Sequence, residues 1–174
     1  MVNLRCTRRL LRRLAGVGSA ELSAATTVLG DWYCNLVYTR PEQLVLCMNE
    51  RSLLVVLLPA KDFRNVGPQF RSEVVSLLTR IGVPPAGIAA EERAMGEVAF
   101  GPTASRKVLG CLNEAMFAFS YELDEPRLGS IAAIEDYFAD YIYSTTKYRH
   151  PRTLALELFE ASGTASGTAF PRVH

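Results

Sequence analysis

Three strand-like segments follow one another between residues 31 and 58, separated by connections of only a few residues. Segment 31–39 alternates its side chains between two faces, segment 43–48 returns, and segment 52–58 is almost wholly apolar and ends at Pro59. Period-two alternation is typical of a strand, and short turns containing Pro or Asn join antiparallel neighbours. The sequence therefore predicts an antiparallel meander. Its apolar third strand is expected at the centre of the sheet, where both faces are buried.

Helices and two further short strands, at 2–6 and 97–100, accompany this meander. Apolar residues spaced three and four apart, with Gly or Pro at the ends, predict the helices. These cover roughly 8–14, 70–81, 88–95, 104–122 and 131–141, with one or two further turns at 154–159. Grouped strands and helices that must cover one sheet predict the α+β class, as a single two-layer domain with a mainly antiparallel five-stranded sheet covered by helices.

The chain is expected to divide into three parts. Residues 1–125 form the α+β core, and 126–161 form a C-terminal helical extension packed on that core. Residues 162–174 are small and polar, so we expect a flexible tail there.

The composition is that of an ordinary globular chain, with 49% hydrophobic and 21% charged residues and a net charge of +1. No apolar run approaches the roughly 20 residues of a membrane span, and the basic start of the chain lacks the apolar stretch of a secretory signal. We therefore expect a soluble protein of the cytoplasm. Its four cysteines show no paired spacing, so we interpret them as buried small apolar side chains and expect neither a metal site nor a cofactor. They are Cys6, Cys34, Cys47 and Cys111.

Four short motifs occur in a fixed order along the chain. They are LRCT at 4–7, LGDWYCNL at 29–36, LCMNERSL at 46–53 and FGPTASRKVLGCLNE at 100–114. Together they resemble an uncharacterised bacterial family, domain of unknown function 6933, over roughly residues 2–125. The resemblance implies no known reaction, cofactor or partner. This chain departs from the family pattern at Ser105, Lys107 and Cys111, where the family tends to have Asn, Ser and Ser.

The corner between the last predicted strand and the helix after it, GPTASRK at 101–107, is the first candidate site. A turn that opens a helix leaves backbone N–H groups unpaired, which is the geometry that binds anions. Arg106 lies where the helix dipole disfavours a cation, so it needs a carboxylate partner or an anionic ligand. Arg106, Gly110 and Asn113 share one stripe of that helix, opposite its apolar stripe. The structural alternative is that Arg106 pairs with Asp31 or with a glutamate.

Asp31 and Asn35 form a second candidate, because they share one strand face four residues apart, about 13 Å at the rise of a strand. They can line one groove but cannot contact the same ligand atom. Trp32, on the opposite face, is interpreted as a core residue. With polar residues of the other motifs added, the candidate ligand-binding set is Arg106, Asn113, Asp31, Asn35, Asn49, Thr103 and Arg5.

The first predicted helix is rich in arginine, a pattern that can bind phosphates. The same pattern is also an ordinary solvated face, the net charge is near zero, and no aromatic residue is interleaved for base stacking. Nucleic-acid binding stays an alternative, through Arg8, Arg9, Arg12 and Arg13.

No familiar catalytic set is recognisable in the sequence. Its two histidines, His150 and His174, lie near its end, and it has no glycine motif for nucleotides. The carboxylate pairs at 91–92 and 135–136 fall on predicted exposed helix faces, where such pairs are usually solvated. Our first hypothesis is a non-enzymatic binding or protein-interaction domain with a polar groove near 101–113. The alternatives are a small enzyme for an anionic substrate, with Asp31 as its acid or base and catalytic residues otherwise undefined, and a nucleic-acid-associated protein.

Overall fold

The computed structural model describes residues 1–14, 22–38, 43–61, 63–124 and 129–166. The strands are β1 (Val2–Cys6), β2 (Trp32–Tyr38), β3 (Gln43–Asn49), β4 (Val55–Pro59) and β5 (Val98–Pro102). The helices are α1 (Arg8–Arg13), α2 (Val66–Arg80), α3 (Pro85–Ala94), α4 (Arg106–Asp124), α5 (Ile131–Ala139) and α6 (Pro151–Ser166), with short 3₁₀ turns at Phe63–Asn65 and Ser144–Thr146. No helix within the described ranges has both the length and the hydropathy that a membrane span requires.

All five strands form one sheet, in the order β4-β3-β2-β1-β5. Strands β2, β3 and β4 form the predicted antiparallel meander, in which Trp32 lies opposite Asn49 and Met48 opposite Val55. Strand β1, however, pairs in parallel with both β2 and β5. The prediction of a mainly antiparallel sheet is therefore wrong, and the sheet is mixed. Parallel neighbours need a crossover connection, and helical segments of the chain supply it here.

Helices cover both faces of the sheet, so the domain has three layers rather than the predicted two. One core packs the Trp32 face of the sheet against residues of α1, α2 and α6. The other packs the Tyr33 face against α4 and α5. Trp32 and Tyr33 enter different cores because successive strand residues point to opposite faces. The core position of Trp32 is confirmed, since its ring meets Phe70 of α2 edge-on with centroids 5.2 Å apart.

The apolar sequence of β4 predicted a position at the centre of the sheet. This prediction is wrong, because β4 lies at the edge. It is buried all the same, because α2 and α5 both pack against it. Its Leu57 N–H donates to Glu135 Oε1 of α5 at 2.7 Å, and Arg80 Nη2 of α2 donates to Glu135 Oε2 at 2.5 Å. The Glu135 carboxylate thus accepts a hydrogen bond from a backbone N–H that has no partner strand at the sheet edge. It also links α2 and α5, which lie on opposite faces of the sheet.

The prediction that the carboxylates at 135–136 are solvated is wrong for Glu135, which has no exposed surface. Burial raises the pKa of Glu135 to about 8, and the nearby Glu73 carboxylate acts in the same direction. The hydrogen bonds from Leu57 and Arg80 oppose that shift. Asp136 is the more exposed member of the pair and bonds to Arg80 Nε at 2.9 Å.

Glu91 of α3 is a second buried carboxylate that the sequence placed on an exposed face, whereas its neighbour Glu92 is exposed as predicted. The two oxygens of Glu91 accept hydrogen bonds from Val28 N at 2.7 Å and Leu29 N at 3.1 Å. Burial raises the pKa of Glu91, and the two hydrogen bonds oppose this. Glu91 therefore fixes the segment that leads into β2, which a solvated side chain would not do.

The C-terminal helices are integral to both cores. Phe138 of α5 lies in the core beneath α4, and Ala155 and Phe159 of α6 lie in the core beneath α1 and α2. Helix α6 runs to Ser166, into the segment that was expected to be a flexible tail. The remainder of that predicted tail, 167–174, lies outside the described residues.

All four cysteines are buried and free, as the sequence indicated. Three of them form a row across adjacent strands, because Cys34 of β2 lies opposite both Cys6 of β1 and Cys47 of β3. The Sγ atoms of Cys34 and Cys47 are 2.9 Å apart, and burial raises the pKa of the Cys34 thiol. The row fills the Trp32 core as small apolar side chains.

Candidate functional site

Asp31, at the start of β2, is held by residues of β1. Its Oδ2 lies 2.5 Å from Arg5 Nε, and its Oδ1 accepts a hydrogen bond from Asn3 Nδ2 at 2.9 Å. The parallel pairing of β1 with β2 brings these side chains together. Asp31 is buried and both carboxylate oxygens are bonded, so it forms a structural ion pair. The alternative that Asp31 pairs with Arg106 is wrong.

Arg106, Gly110 and Asn113 lie on the solvent-exposed face of α4, as their helical spacing predicted. Within the described ranges, the Arg106 side chain forms no hydrogen bond or ion pair. A Cβ atom built on Gly110 would meet nothing within 4 Å. The stripe is therefore an open helix face without the walls of a groove.

The backbone at the start of α4 is partly satisfied by the protein itself. Ser105 N donates to the Tyr33 hydroxyl at 3.0 Å, and Ser105 Oγ accepts a hydrogen bond from Val108 N at 3.3 Å. These bonds use N–H groups that the corner was expected to offer to an anion. Thr103, in the connection from β5, forms no side-chain hydrogen bond with a described residue. The Tyr33 hydroxyl thus anchors α4 to β2.

Asn35 links three elements. Its Oδ1 accepts a hydrogen bond from Thr7 Oγ1 at 2.7 Å, and its Nδ2 lies 3.1 Å from Met116 Sδ of α4. Thr7 occupies the N-cap position of α1, but its hydroxyl donates to Asn35 and does not cap the helix. Asn35 and Asp31 share a face of β2, as predicted, and each is committed to structural partners.

Asn49 organises the turn between β3 and β4. It is fully buried, and its Oδ1 accepts hydrogen bonds from Arg51 N at 3.1 Å and Ser52 N at 2.8 Å. Its Nδ2 donates to the carbonyl oxygens of Leu29 at 2.9 Å and Asp31 at 3.3 Å. An asparagine that bonds its own following backbone fixes a tight turn. Asn49 therefore fixes the conformation of the turn. It was predicted to bind a ligand, but none of its atoms is exposed to solvent.

The turn held by Asn49 shapes the surface beside it. Leu53 takes φ 62°, an uncommon value for a branched residue, so β4 begins at Val55 and not at the start of the apolar run. Glu50 and Arg51 close over Gly30, which has φ +77°. A Cβ atom at Gly30 would lie 2.7 Å from Glu50 Oε1 and 2.8 Å from Arg51 Nε. Because Gly30 has no Cβ atom, the side chains of Glu50 and Arg51 can both pack against its backbone.

A cleft of about 280 Å³ opens between this turn, the start of α4 and the segment that precedes α6. Its apolar lining comes from Leu53, Val108 and Cys111, all buried, and from the half-buried Leu154. The thiol of Cys111 lies 3.0 Å from the hydroxyl of Thr145, which also lines the cleft. Apolar groups thus form the base of a cleft whose margins are polar.

Four cationic side chains and one carboxylate line the same cleft: Arg51, Lys107, Lys147, Arg149 and Glu50. Within the described ranges, neither lysine forms a side-chain hydrogen bond or ion pair. Arg51 Nη1 donates to the Val28 carbonyl at 2.8 Å, and Arg149 pairs with Glu157. Glu50 Oε1 accepts a hydrogen bond from Asp31 N at 3.1 Å. The cleft therefore carries an excess of positive charge, with both ammonium groups uncommitted.

The wall that carries Lys147 has an unusual backbone. Lys147 and Tyr148 have φ 51° and 66°, consecutive left-handed values at residues other than glycine. Hydrogen bonds from Thr146 N to Tyr143 O and from Arg149 N to Thr146 O, each 3.1 Å long, hold this turn. Such conformations cost about 1–3 kcal/mol each and cluster at functional sites.

Lys107 of this cleft lies inside the corner predicted from the sequence, but the predicted ligand-binding residue there was its neighbour Arg106. Lys147 and Arg149 were missed, although two cations on either side of a tyrosine were visible in the sequence. No local pattern connects that triplet with Arg51 or Lys107, because the cleft is assembled by tertiary packing.

A known protein family matches most of this chain. The model of a family described as a domain of unknown function, DUF6933, matches residues 3–154. A search of curated proteins found no match. The matched range runs beyond residue 125, where the resemblance was expected to end, and it includes every residue that lines the cleft. The chain therefore belongs to the DUF6933 family.

Proposed function

We propose that this protein is a non-enzymatic binding domain whose ligand is a small anion held in the basic cleft. The observation that supports it is the convergence of four cations and one carboxylate on a space of about 280 Å³. The cations come from three separate segments, at Arg51, at Lys107 and at 147–149. Phosphate and carboxylate are the groups that such a set of donors binds.

Electrostatics favour this reading over an ordinary solvated surface. Like charges repel, and walls of low dielectric focus their field into a cleft, so an anion gains more there than on an open face. The arginines of α1 do not contribute, because α1 packs on the Trp32 face whereas the cleft opens on the Tyr33 face. The cleft is thus a local concentration of charge in a chain whose net charge is only +1.

Binding is favoured over catalysis by the state of the nearby reactive groups. Among the described residues that line the cleft, Glu50 supplies the carboxylate, and it bonds to backbone. Cys111 is 1% exposed. Asp31, the acid or base of the enzymatic alternative, is paired with Arg5. A general base must reach the proton it removes, and these groups are committed elsewhere. The four free thiols suit a reducing compartment, which supports a cytoplasmic protein.

Titration with inorganic phosphate and with a small dicarboxylate, followed by calorimetry, tests the proposal. Lys107 and Arg106 offer a matched pair, since both are exposed cations at the start of α4 and only Lys107 lines the cleft. We expect Lys107→Gln to weaken phosphate binding by about 1 kcal/mol, roughly fivefold in Kd, and Arg106→Gln to leave it unchanged. Binding should also weaken as salt is added, because exposed charges are screened.

Equal effects of the two variants would contradict the placement of the ligand in the cleft. Failure of both anions to bind the parent protein, at low salt and millimolar concentration, would refute the proposed function itself.

A further inference from the structure

Tyr148 lies between Lys147 and Arg149, two residues that line the basic cleft, although Tyr148 does not itself line it. It is 86% exposed, the largest exposure among the large apolar and aromatic side chains of the described residues. Its ring contacts no other aromatic ring or cation within those ranges. Its faces are therefore open to a planar ligand group.

The turn that carries this ring is held at both of its ends. Tyr148 and Lys147 both have left-handed φ values, and the turn is anchored at its ends by buried Tyr143 and buried Pro151. A free surface loop would relax from two consecutive strained residues into a broader set of conformations. The two anchors restrict the conformations open to the turn, which lowers the entropy cost of placing the ring against a ligand.

The residues on either side of Tyr148 connect it to the cleft. Lys147 and Arg149 both line that cleft, as do the hydroxyl-bearing Thr145 and Thr146. A volume of about 280 Å³ is at the small end for ligand pockets, for which about 300–1,000 Å³ is usual. The cleft thus has room for a phosphate and a sugar, and a larger flat group attached to them would extend outside it, within reach of the segment that carries Tyr148.

We infer that the anion is a nucleoside phosphate, with its phosphate among the cations of the cleft, its sugar beside the threonine hydroxyls and its base stacked on Tyr148. This inference rests on the proposed function and specifies its ligand class. Cations that hold phosphate next to an aromatic ring that accepts a base form the arrangement by which proteins bind nucleotide units. Stacking tolerates any base, so the geometry selects the class and not one nucleobase.

Calorimetric titration of the parent protein with adenosine monophosphate, ribose 5-phosphate and inorganic phosphate tests the inference. Adenosine monophosphate should bind about tenfold more tightly than ribose 5-phosphate, the size expected for one stacked base. Tyr148→Ala should abolish that difference and leave inorganic phosphate binding unchanged, whereas Tyr148→Phe should retain it. Tyr121→Ala removes an exposed ring from α4, 64% accessible, and should change nothing.

The outcomes separate the inference from the function on which it rests. Phosphate binding with no preference for adenosine monophosphate over ribose 5-phosphate would overturn the inference and leave the anion-binding domain in place. A phosphoserine peptide that binds as tightly as the nucleotide, with no effect of Tyr148→Ala, would overturn it as well. A short single-stranded oligonucleotide shows whether the bound nucleotide is free or part of a strand. Tighter binding than that of the mononucleotide, with the same dependence on Tyr148, would assign the nucleotide to a strand.

Discussion

Arg5 Nε and Asp31 Oδ2 lie 2.5 Å apart, joining the two parallel strands β1 and β2 through a pair of charges that is largely withdrawn from water. The side chain of Asp31 is 9% exposed and that of Arg5 is 23% exposed. Asn3 Nδ2 satisfies the second carboxylate oxygen. The acid that the sequence offered as a catalytic or ligand-binding group is therefore part of the scaffold.

Removing Arg5 should strand this carboxylate. We expect Arg5→Ala to lower the free energy of unfolding by about 1–3 kcal/mol, because a buried acceptor loses its charged partner. The double variant with Asp31→Ala should cost less than the sum of the single variants, since contacting residues couple. Arg106→Ala should stay within about 0.5 kcal/mol of the parent, as expected for a solvated side chain. Urea denaturation measures the stability of Arg5→Ala, Asp31→Ala, the double variant and Arg106→Ala. If the effects of Arg5→Ala and Asp31→Ala were strictly additive, that would contradict the pairing of the two residues.

Glu135 predicts a dependence of stability on pH. Its folded pKa of about 8 exceeds the ordinary value of 4.5, so the folded state holds a proton that the unfolded state releases. The stability from this group is present below about pH 4.5 and is lost as the pH rises through about 8. The loss is a few kcal/mol at most, at about 1.4 kcal/mol for each unit by which the pKa is raised. Urea denaturation across this range measures it.

A neutral isostere provides the control for that titration. Glu135→Gln keeps an oxygen for the Leu57 N–H but cannot ionise, so stability should vary less between pH 5 and pH 8 than in the parent. Glu97→Gln, at an exposed residue, should leave the parent slope unchanged. If Glu135→Gln keeps the full slope, the pH dependence arises from another group, of which buried Glu91 is the first to examine.

Two glycines should respond to alanine in opposite directions. Gly30→Ala puts a Cβ atom within 2.8 Å of Glu50 and Arg51 at φ +77°, so we expect a loss of about 1–3 kcal/mol. Gly110→Ala adds a methyl group in open space on a helix and should stabilise the protein by about 0.5–1 kcal/mol. Denaturant unfolding measures both. A neutral Gly30→Ala variant would show that Glu50 and Arg51 yield easily, and that the cleft margin is not fixed by this turn.

The arginines of α1 should not bind nucleic acid appreciably. Arg8, Arg9, Arg12 and Arg13 are exposed, but Arg9 stacks on the Tyr38 ring at 3.9 Å, and α1 lies on the face opposite the cleft. We expect a Kd for generic duplex DNA weaker than about 10⁻⁴ M at physiological salt. Fluorescence anisotropy tests this. Micromolar, strongly salt-dependent binding that is lost when the four arginines are neutralised would favour a nucleic-acid role for α1.

Local patterns predicted the elements well where short-range physics decides them. Alternation and turn residues gave the antiparallel meander, and helical spacing gave α2, α4 and α5 close to their observed bounds. Local patterns did not predict the burial of Glu91 and Glu135. In sequence each is one member of a solvated-looking acidic pair, and only the approach of Val28 or Leu57 from a distant segment supplies the hydrogen bonds that permit its burial.

By itself, the sequence determined the strands, most of the helices, the buried position of Trp32 and the exposed stripe of α4, because each follows from the period of apolar side chains along a few turns or one strand. The tertiary structure alone decided the parallel partners of β1, the edge position of β4 and the pairing of Asp31 with Arg5 rather than Arg106. It also decided the cleft, whose cations at Arg51, Lys107 and 147–149 lie far apart in the chain. Strand pairing and the clustering of charges depend on contacts between segments that are distant in the sequence. The periodicity of apolar residues within one segment does not specify which other segment it contacts.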